Sequence, residues 1–313
     1  MKHIFGPVPS RRLGRSLGID VIPAKTCTFD CIYCESGPTT RLTLERGLFA
    51  PAERIVSELE EYFRLHPGGA DALTFSSAGE PTLYLALGEL IRSIKKRFPA
   101  LPLVVLTNGS LLWDEDVRKG LMAADRVVPS LDSATPETFK ALNRPHPLLS
   151  LERIIEGLAA FRREYTGRFH LEILLASGLN DTAAELERLR EVADILDPDL
   201  IELNTVVRPP VKPGLEGLSR ERMIEAARFF PAEKVEVIGS FCAATVEAHG
   251  VALSGRIMET IERRPCTVRE LAASLGSSEK KIEAAAAGLE RLHKLERRCF
   301  NETEFLCPSG GSK

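Results

Sequence analysis

Cys27-Thr28-Phe29-Asp30-Cys31-Ile32-Tyr33-Cys34 sets three cysteines within eight residues at the spacing C-x3-C-x2-C. Three thiolates on one tight loop make a soft, electron-rich donor set suited to iron–sulfur chemistry or to zinc. A structural zinc site takes four ligands, and His3 and His66 lie far from this loop in sequence. Three ligands on a cubane cluster would leave one iron open to an exogenous ligand. A chance grouping of buried thiols is the remaining reading. The chain has seven cysteines, an odd number whose crowding does not read as a secreted disulfide framework. Cys242, Cys266, Cys299 and Cys307 match no metal motif and read as free thiols.

Outward from this loop, strand-like and helix-like runs alternate. An apolar run at 17–22 precedes the cysteines, and Ile55, Val56, Leu59, Tyr62 and Phe63 follow with helical period. Further strands are expected at 72–75, 103–106, 126–131, 169–176 and 200–207, with 235–238 as a short last one. Helices are expected at 52–65, 83–98, from Asp114, and at 151–165, 183–196 and 221–230. About six β/α units in series predict a parallel sheet flanked by helices, as a barrel or a doubly wound sheet. Polar residues follow the strands: Ser76-Ser77, Thr107-Asn108, Asp132-Ser133, Ser177 with Asn180-Asp181, and Asn204-Thr205. Ligands of parallel α/β folds bind at strand C-termini, so these positions are expected to ring one cavity. Turn formation is the plainer alternative for any one of them.

Past about Gly250 the texture changes. An amphipathic run at 257–263, a Thr267…Glu270 capping-box spacing, a Gly276-Ser277-Ser278 turn, a helix at 279–295 and a hairpin at 295–306 predict a small winged helix. Domains are accordingly expected at 1–245 and 251–306, with a flexible tail at 307–313. Arg291, Lys294, Arg297 and Arg298 crowd the end of that helix, where they suit either its dipole or a phosphate. Over 313 residues the formal charge is only −3, so any nucleic-acid contact must come from local arginines. The N-terminus has no apolar signal core and no run of membrane-spanning length occurs, so a cytoplasmic protein without membrane contact is expected.

The cysteine loop resembles that of the radical S-adenosylmethionine (SAM) superfamily, which has this spacing and an aromatic before the third cysteine, here Tyr33. Ser76-Ser77-Ala78-Gly79-Glu80-Pro81-Thr82 is similar to the family's Gly-Glu motif, with Ala78 in place of the usual first glycine. Ser130-Leu131-Asp132, Ser177 and Asn204 fall at the strand ends that face SAM in the family. Together with Leu106-Thr107-Asn108-Gly109 and Asn143-Arg144-Pro145, these blocks are similar to the tRNA 4-demethylwyosine synthase group. The opening Gly6-Pro7-Val8-Pro9-Ser10-Arg11-Arg12-Leu13-Gly14 looks like an uncharacterised bacterial family related to it. Two departures stand out: no cysteine precedes Cys27 for a second cluster, and no flavodoxin-like domain is present.

The resemblance implies a partial (β/α)6 TIM-like barrel in which Cys27, Cys31 and Cys34 hold one [4Fe–4S] cluster. SAM would chelate its open iron and yield a 5′-deoxyadenosyl radical, with flavodoxin or ferredoxin as electron donor. Glu80 would pair with the SAM ammonium group, and Asp132 or Ser130 with its ribose, unless Asp132 caps the helix that follows. Tyr33, Ala78, Gly79, Ser177 and Asn204 complete the expected cofactor shell. Arg11, Arg12 and Arg208 are candidates to grip a substrate phosphate or carboxylate. RNA, in particular a tRNA base, is the leading substrate reading. A peptide, protein or small metabolite is the second, and a metal- or redox-sensing DNA-binding regulator the third.

Overall fold

The computed structural model describes residues 1–10, 13–238 and 253–309. Strand β1 (Ile4–Ser10) pairs antiparallel with β2 (Gly14–Ile19). The chain then enters the cysteine loop, where β3 (Thr26–Cys27) and β4 (Arg41–Leu42) form a small parallel pair. Helix α1 (Ala52–Leu65) leads back to β5 (Ala72–Phe75). The alternation continues through α2 (Leu87–Arg97), β6 (Leu103–Thr107), α3 (Glu115–Leu121), β7 (Arg126–Pro129), α4 (Pro136–Asn143) and α5 (Leu151–Glu164). It closes with β8 (Arg168–Leu175), α6 (Ala183–Leu196), β9 (Leu200–Thr205), α7 (Arg220–Ala227) and β10 (Val235–Val237). Across the sheet the order is β1-β2-β5-β6-β7-β8-β9-β10, and every pairing after the first is parallel.

The two-residue period of each strand assigns its faces. Leu17, Ile19, Leu73, Phe75, Val105, Val127, Leu171, Ile173, Ile201 and Leu203 are buried in the main hydrophobic core. The alternate positions (Ser16, Gly18, Thr74, Ser76, Val128, Ser130, Glu172, Leu174, Asn204 and Val206) all line one cavity of about 350 Å³. A flat sheet could not turn these strands toward a single cavity. The sheet therefore curls into a partial barrel.

Several elements depart from the sequence reading. Strand β1 was not anticipated, because Pro7 and Pro9 mask its alternation and pairing with β2 is what orders it. Strand β2 runs Gly14–Ile19 rather than 17–22, since its register is set by Ser16 opposite Ala72 through Ile19 opposite Phe75. Helix α4, preceded by Thr135, starts with Pro136 and stops at Arg144, whose φ of 43° is left-handed. Thus Asp132 does not cap it. No helix among the described residues is long and apolar enough to cross a membrane.

The C-terminal segment forms α8 (Leu253–Ile261), α9 (Val268–Leu275), α10 (Glu279–Arg291) and an antiparallel hairpin of β11 (Leu295–Phe300) and β12 (Thr303–Pro308). It has its own apolar cluster, including Ile257, Ile261, Leu271, Ile282, Leu289 and Leu306. The capping box forms: Thr267 Oγ1 accepts from the Glu270 N–H at 3.1 Å, and Glu270 accepts from the Thr267 N–H at 2.8 Å. Strand β12 continues past the expected end at 306, so Cys307 is a buried strand residue opposite Glu296 and not the start of a tail. The expected domain boundary at 245–251 and Cys242 lie outside the described residues.

Candidate functional site

The cysteine loop is clamped from two sides by backbone hydrogen bonds. On one side the Lys25 N–H donates to the Ala78 carbonyl at 2.7 Å and the Glu80 N–H donates to the Thr26 carbonyl at 3.1 Å. Lys25 makes this turn at a left-handed φ of 64°. On the other side the Ile32 N–H donates to Leu142 at 3.0 Å and the Asp30 N–H to Asn143 at 3.1 Å. The strand loop after β5 approaches so closely that a Cβ on Gly79 would sit 2.0 Å from the Thr26 carbonyl oxygen. Backbone cannot yield there without moving the loop, so Gly79→Ala is expected to displace the cysteines. Iron content after anaerobic reconstitution should fall to under about a tenth of wild type; full loading would refute this reading of the clamp.

Cys27, Cys31 and Cys34 are free and half-buried. Burial pushes the Cys27 thiol up to about 12, with the Glu80 charge adding to the shift, and raises Cys31 as well. Metal binding would therefore have to displace their protons. Among the described residues, no three His, Cys, Asp or Glu side chains are grouped to hold a metal ion. A four-iron cluster makes a different demand, because each thiolate meets a different iron and the three need only surround it. Free thiols on one clamped loop, with Tyr33 and Cys34 opening on the barrel cavity, fit that demand in donor chemistry.

The remaining candidates divide. Ala78, Ser130, Asn204 and Tyr33 line the cavity together with Ser76 and Ser77. Glu80 does not line it: its side chain is buried and accepts from Thr82 N–H (3.0 Å), Thr82 Oγ1 (2.5 Å), Thr107 Oγ1 (2.6 Å) and Asn108 N–H (2.8 Å). Burial pushes its carboxyl up while these four bonds pull it back. Its oxygens tie the β5 loop to the end of β6. Asp132 is likewise buried; it accepts from the Tyr33 hydroxyl, from Asn143 Nδ2 at 2.9 Å and from the Leu174 N–H at 2.9 Å. Its carboxylate holds Tyr33 in place. Ser177 is away from the cavity lining, in reach of Arg222 at 3.5 Å.

Arg208 lines the cavity but its guanidinium is committed, to Glu35 at 3.1 Å and Glu270 at 2.7 Å. It joins the cysteine loop to the first turn of α9. Arg11 and Arg12 lie outside the described residues. Two more contacts bring the C-terminal segment to the same place. Ser36 Oγ donates to the Arg263 carbonyl at 2.7 Å, and the Arg263 guanidinium lies 4.3 Å from the Phe5 ring centroid. Arg263 and Arg264 thereby form part of the cavity wall. Removing one partner of a buried ion pair costs about 3 kcal/mol or more. Arg208→Ala is therefore expected to speed hydrogen exchange across α9 while strands β5 to β8 keep their protection; unchanged exchange in α9 would show the pair to be dispensable.

Two of the basic residues near the hairpin are also committed. Arg297 pairs with Glu283 (2.6 Å), Glu290 (3.3 Å) and Glu304 (2.6 Å), and Arg298 with Glu296. Cys266 and Cys307 are buried, which pushes each thiol up to about 11, toward the inert end of cysteine reactivity. Asn108 reads from the sequence only as one of the strand-end polar residues and Asn143 carries no role there, while Glu172, Arg263 and Arg264 are additional cavity residues. The cavity positions of the last three follow from strand register and domain packing, which carry no local signal.

Comparison with known proteins matches residues 21–193 to the radical SAM superfamily. A protein of Brachyspira hyodysenteriae named GTPase Obg is 33% identical over 96% of this chain and 44% of its own length. A UPF0026 protein of Methanocaldococcus jannaschii is 39% identical over 67% of this chain and 65% of its own. The chain thus spans under two thirds of either relative. A radical SAM methyltransferase structure from Sphaerobacter thermophilus superposes with a TM-score of 0.57 at 18% identity, covering 71% of this chain and 66% of that one, a likeness of fold. With its fold, its cysteine loop and this match in agreement, the chain belongs to the radical SAM superfamily, enzymes that use a [4Fe–4S] cluster and SAM.

Proposed function

We propose that this enzyme draws one group of its substrate into the barrel cavity beside the cysteine loop, and that the group is a base of RNA, with tRNA as the leading source. The observation that carries the reading is placement. Tyr33 and Cys34 share one cavity of about 350 Å³ with Ser130 and Asn204 from the strand ends. Enzymes that act on a base take it out of its stack into an enclosed pocket of this kind. The similarity of the Thr107-Asn108-Gly109 and Asn143-Arg144-Pro145 blocks to the demethylwyosine synthase group supports RNA as the source. When bound, the cluster and SAM supply a carbon radical able to abstract hydrogen. The chain holds the ligands through Cys27, Cys31 and Cys34, orients Tyr33 through Asp132, and walls the cavity from water with Arg263 and Arg264. A reduced flavodoxin or ferredoxin serves as electron source.

The order of α8, α9, α10 and the β11–β12 hairpin supports reading residues 251–306 as a winged helix. The ion pairs of Arg297 and Arg298 favour a second reading, in which this unit docks on the barrel or a partner and the substrate is a peptide, protein or small metabolite. Anaerobic assays with SAM and dithionite separate the two. The RNA reading expects undermodified tRNA to stimulate 5′-deoxyadenosine release, together with a changed tRNA nucleoside in cells lacking the gene. Stimulation by a small-molecule or peptide fraction with no nucleoside change would favour the second.

A further inference from the structure

Each of the three cysteine sulfurs accepts a side-chain N–H donor from the chain. Asn108 Nδ2 lies 3.7 Å from Cys27 Sγ, Asn143 Nδ2 3.5 Å from Cys31 Sγ, and Lys25 Nζ 3.7 Å from Cys34 Sγ. The donors come from three separate places: the end of β6, the end of α4 and the turn before β3. Both amides are oriented by their other partners. Asn108 Oδ1 accepts from the Ser110 N–H at 3.0 Å and its Nδ2 also donates to Thr28 Oγ1 at 2.7 Å, so nitrogen must face the sulfur. Asn143 Nδ2 faces the Asp132 carboxylate at 2.9 Å, which only the nitrogen can do. Behind these amides stand the two buried acids, Glu80 accepting from the Asn108 N–H at 2.8 Å and Asp132 accepting from Asn143.

We propose that Lys25, Asn108 and Asn143 form a donor set that raises the reduction potential of the iron–sulfur cluster, with Glu80 and Asp132 as positioning residues for the two amides. Adding an electron to a cluster places more negative charge on its sulfurs. Hydrogen bonds and nearby positive charge at those sulfurs stabilise the reduced form relative to the oxidised one. Lys25 contributes a full charge on a flexible stem, so it carries the largest single effect. The inference rests on Cys27, Cys31 and Cys34 being the cluster ligands.

The test is a redox titration of the full chain, reconstituted anaerobically and followed by electron paramagnetic resonance against mediators and dithionite. Lys25→Met is expected to lower the reduced-to-oxidised ratio at a fixed potential about tenfold, which for a one-electron couple is a shift of about 59 mV to more negative values. Lys25→Arg keeps the charge and should stay close to wild type. Asn108→Ser and Asn143→Ser should shift in the same direction by less. If all loaded variants titrate at the wild-type potential, the donor set is overturned while the ligand assignment stands. Should none of the variants load iron, these residues build the site rather than tune it, and the proposal fails. A wild-type chain that takes up no four-iron cluster would instead overturn the ligand assignment beneath it.

Discussion

Replacing Cys31 with alanine is expected to abolish both four-iron cluster uptake and 5′-deoxyadenosine formation, while the chain keeps its fold. Cys31 sits at the centre of the loop, between two other ligands and against Asn143 at 3.5 Å. The loop's position comes from backbone bonds to Ala78, Glu80, Leu142 and Asn143, none of which uses the cysteine side chain. Alanine therefore removes one sulfur and little else, and the thermal midpoint should move by no more than a few degrees. Two thiolates cannot hold three corners of a cubane. Iron and sulfide content, the broad visible absorbance of the cluster and product chromatography each report the loss. An alanine variant that retained full iron and product would move the cluster to other residues altogether.

The second large effect is expected at Asp132. Alanine there leaves the Tyr33 hydroxyl, Asn143 Nδ2 and the Leu174 N–H without their shared acceptor. Each buried donor left unsatisfied costs about 1–3 kcal/mol, and because they share one partner the losses do not simply add. A destabilisation of about 3–5 kcal/mol is expected, read as a lower denaturant midpoint with unchanged slope. This outcome separates a brace from a ribose ligand. A ribose contact would raise the KM for SAM and leave the midpoint where it was, and that result would favour the role read from the sequence.

Asp132 and Glu80 also show how far the sequence could be read. Their place at strand ends one and three β/α units after the cysteines was legible, because spacing and alternation are local properties. The direction of their side chains was not. Whether a carboxylate turns into the cavity or back into the protein depends on Thr82, Thr107, Tyr33 and Asn143, which lie on other segments and meet it only through the sheet order. The same limit explains Arg208. A loop arginine after a strand reads as a substrate grip, and only the packing of α9 brings Glu270 to within 2.7 Å of it. The parallel sheet, the six principal strands and the capping box at Thr267 needed no such long-range information and were visible from period and spacing alone. Strand β1 was invisible for the opposite reason: its sequence has no alternation to read, and its pairing partner decides it.

That first strand has a further bearing on how the chain behaves when cut. Strand β1 is the outermost strand on its side of the sheet, hydrogen-bonded along one side to β2. Its internal defences are a register irregularity between Phe5 and Val8 and two prolines without an N–H, at positions 7 and 9. Helices α8 and α9 pack against it, and the Arg263 guanidinium lies against Phe5. An uncovered strand edge is a template for pairing with another chain. A version of this protein trimmed to its barrel would lose a wall of the cavity and, by the same cut, the helices packed against its edge strand, so it is expected to self-associate more readily than the full chain.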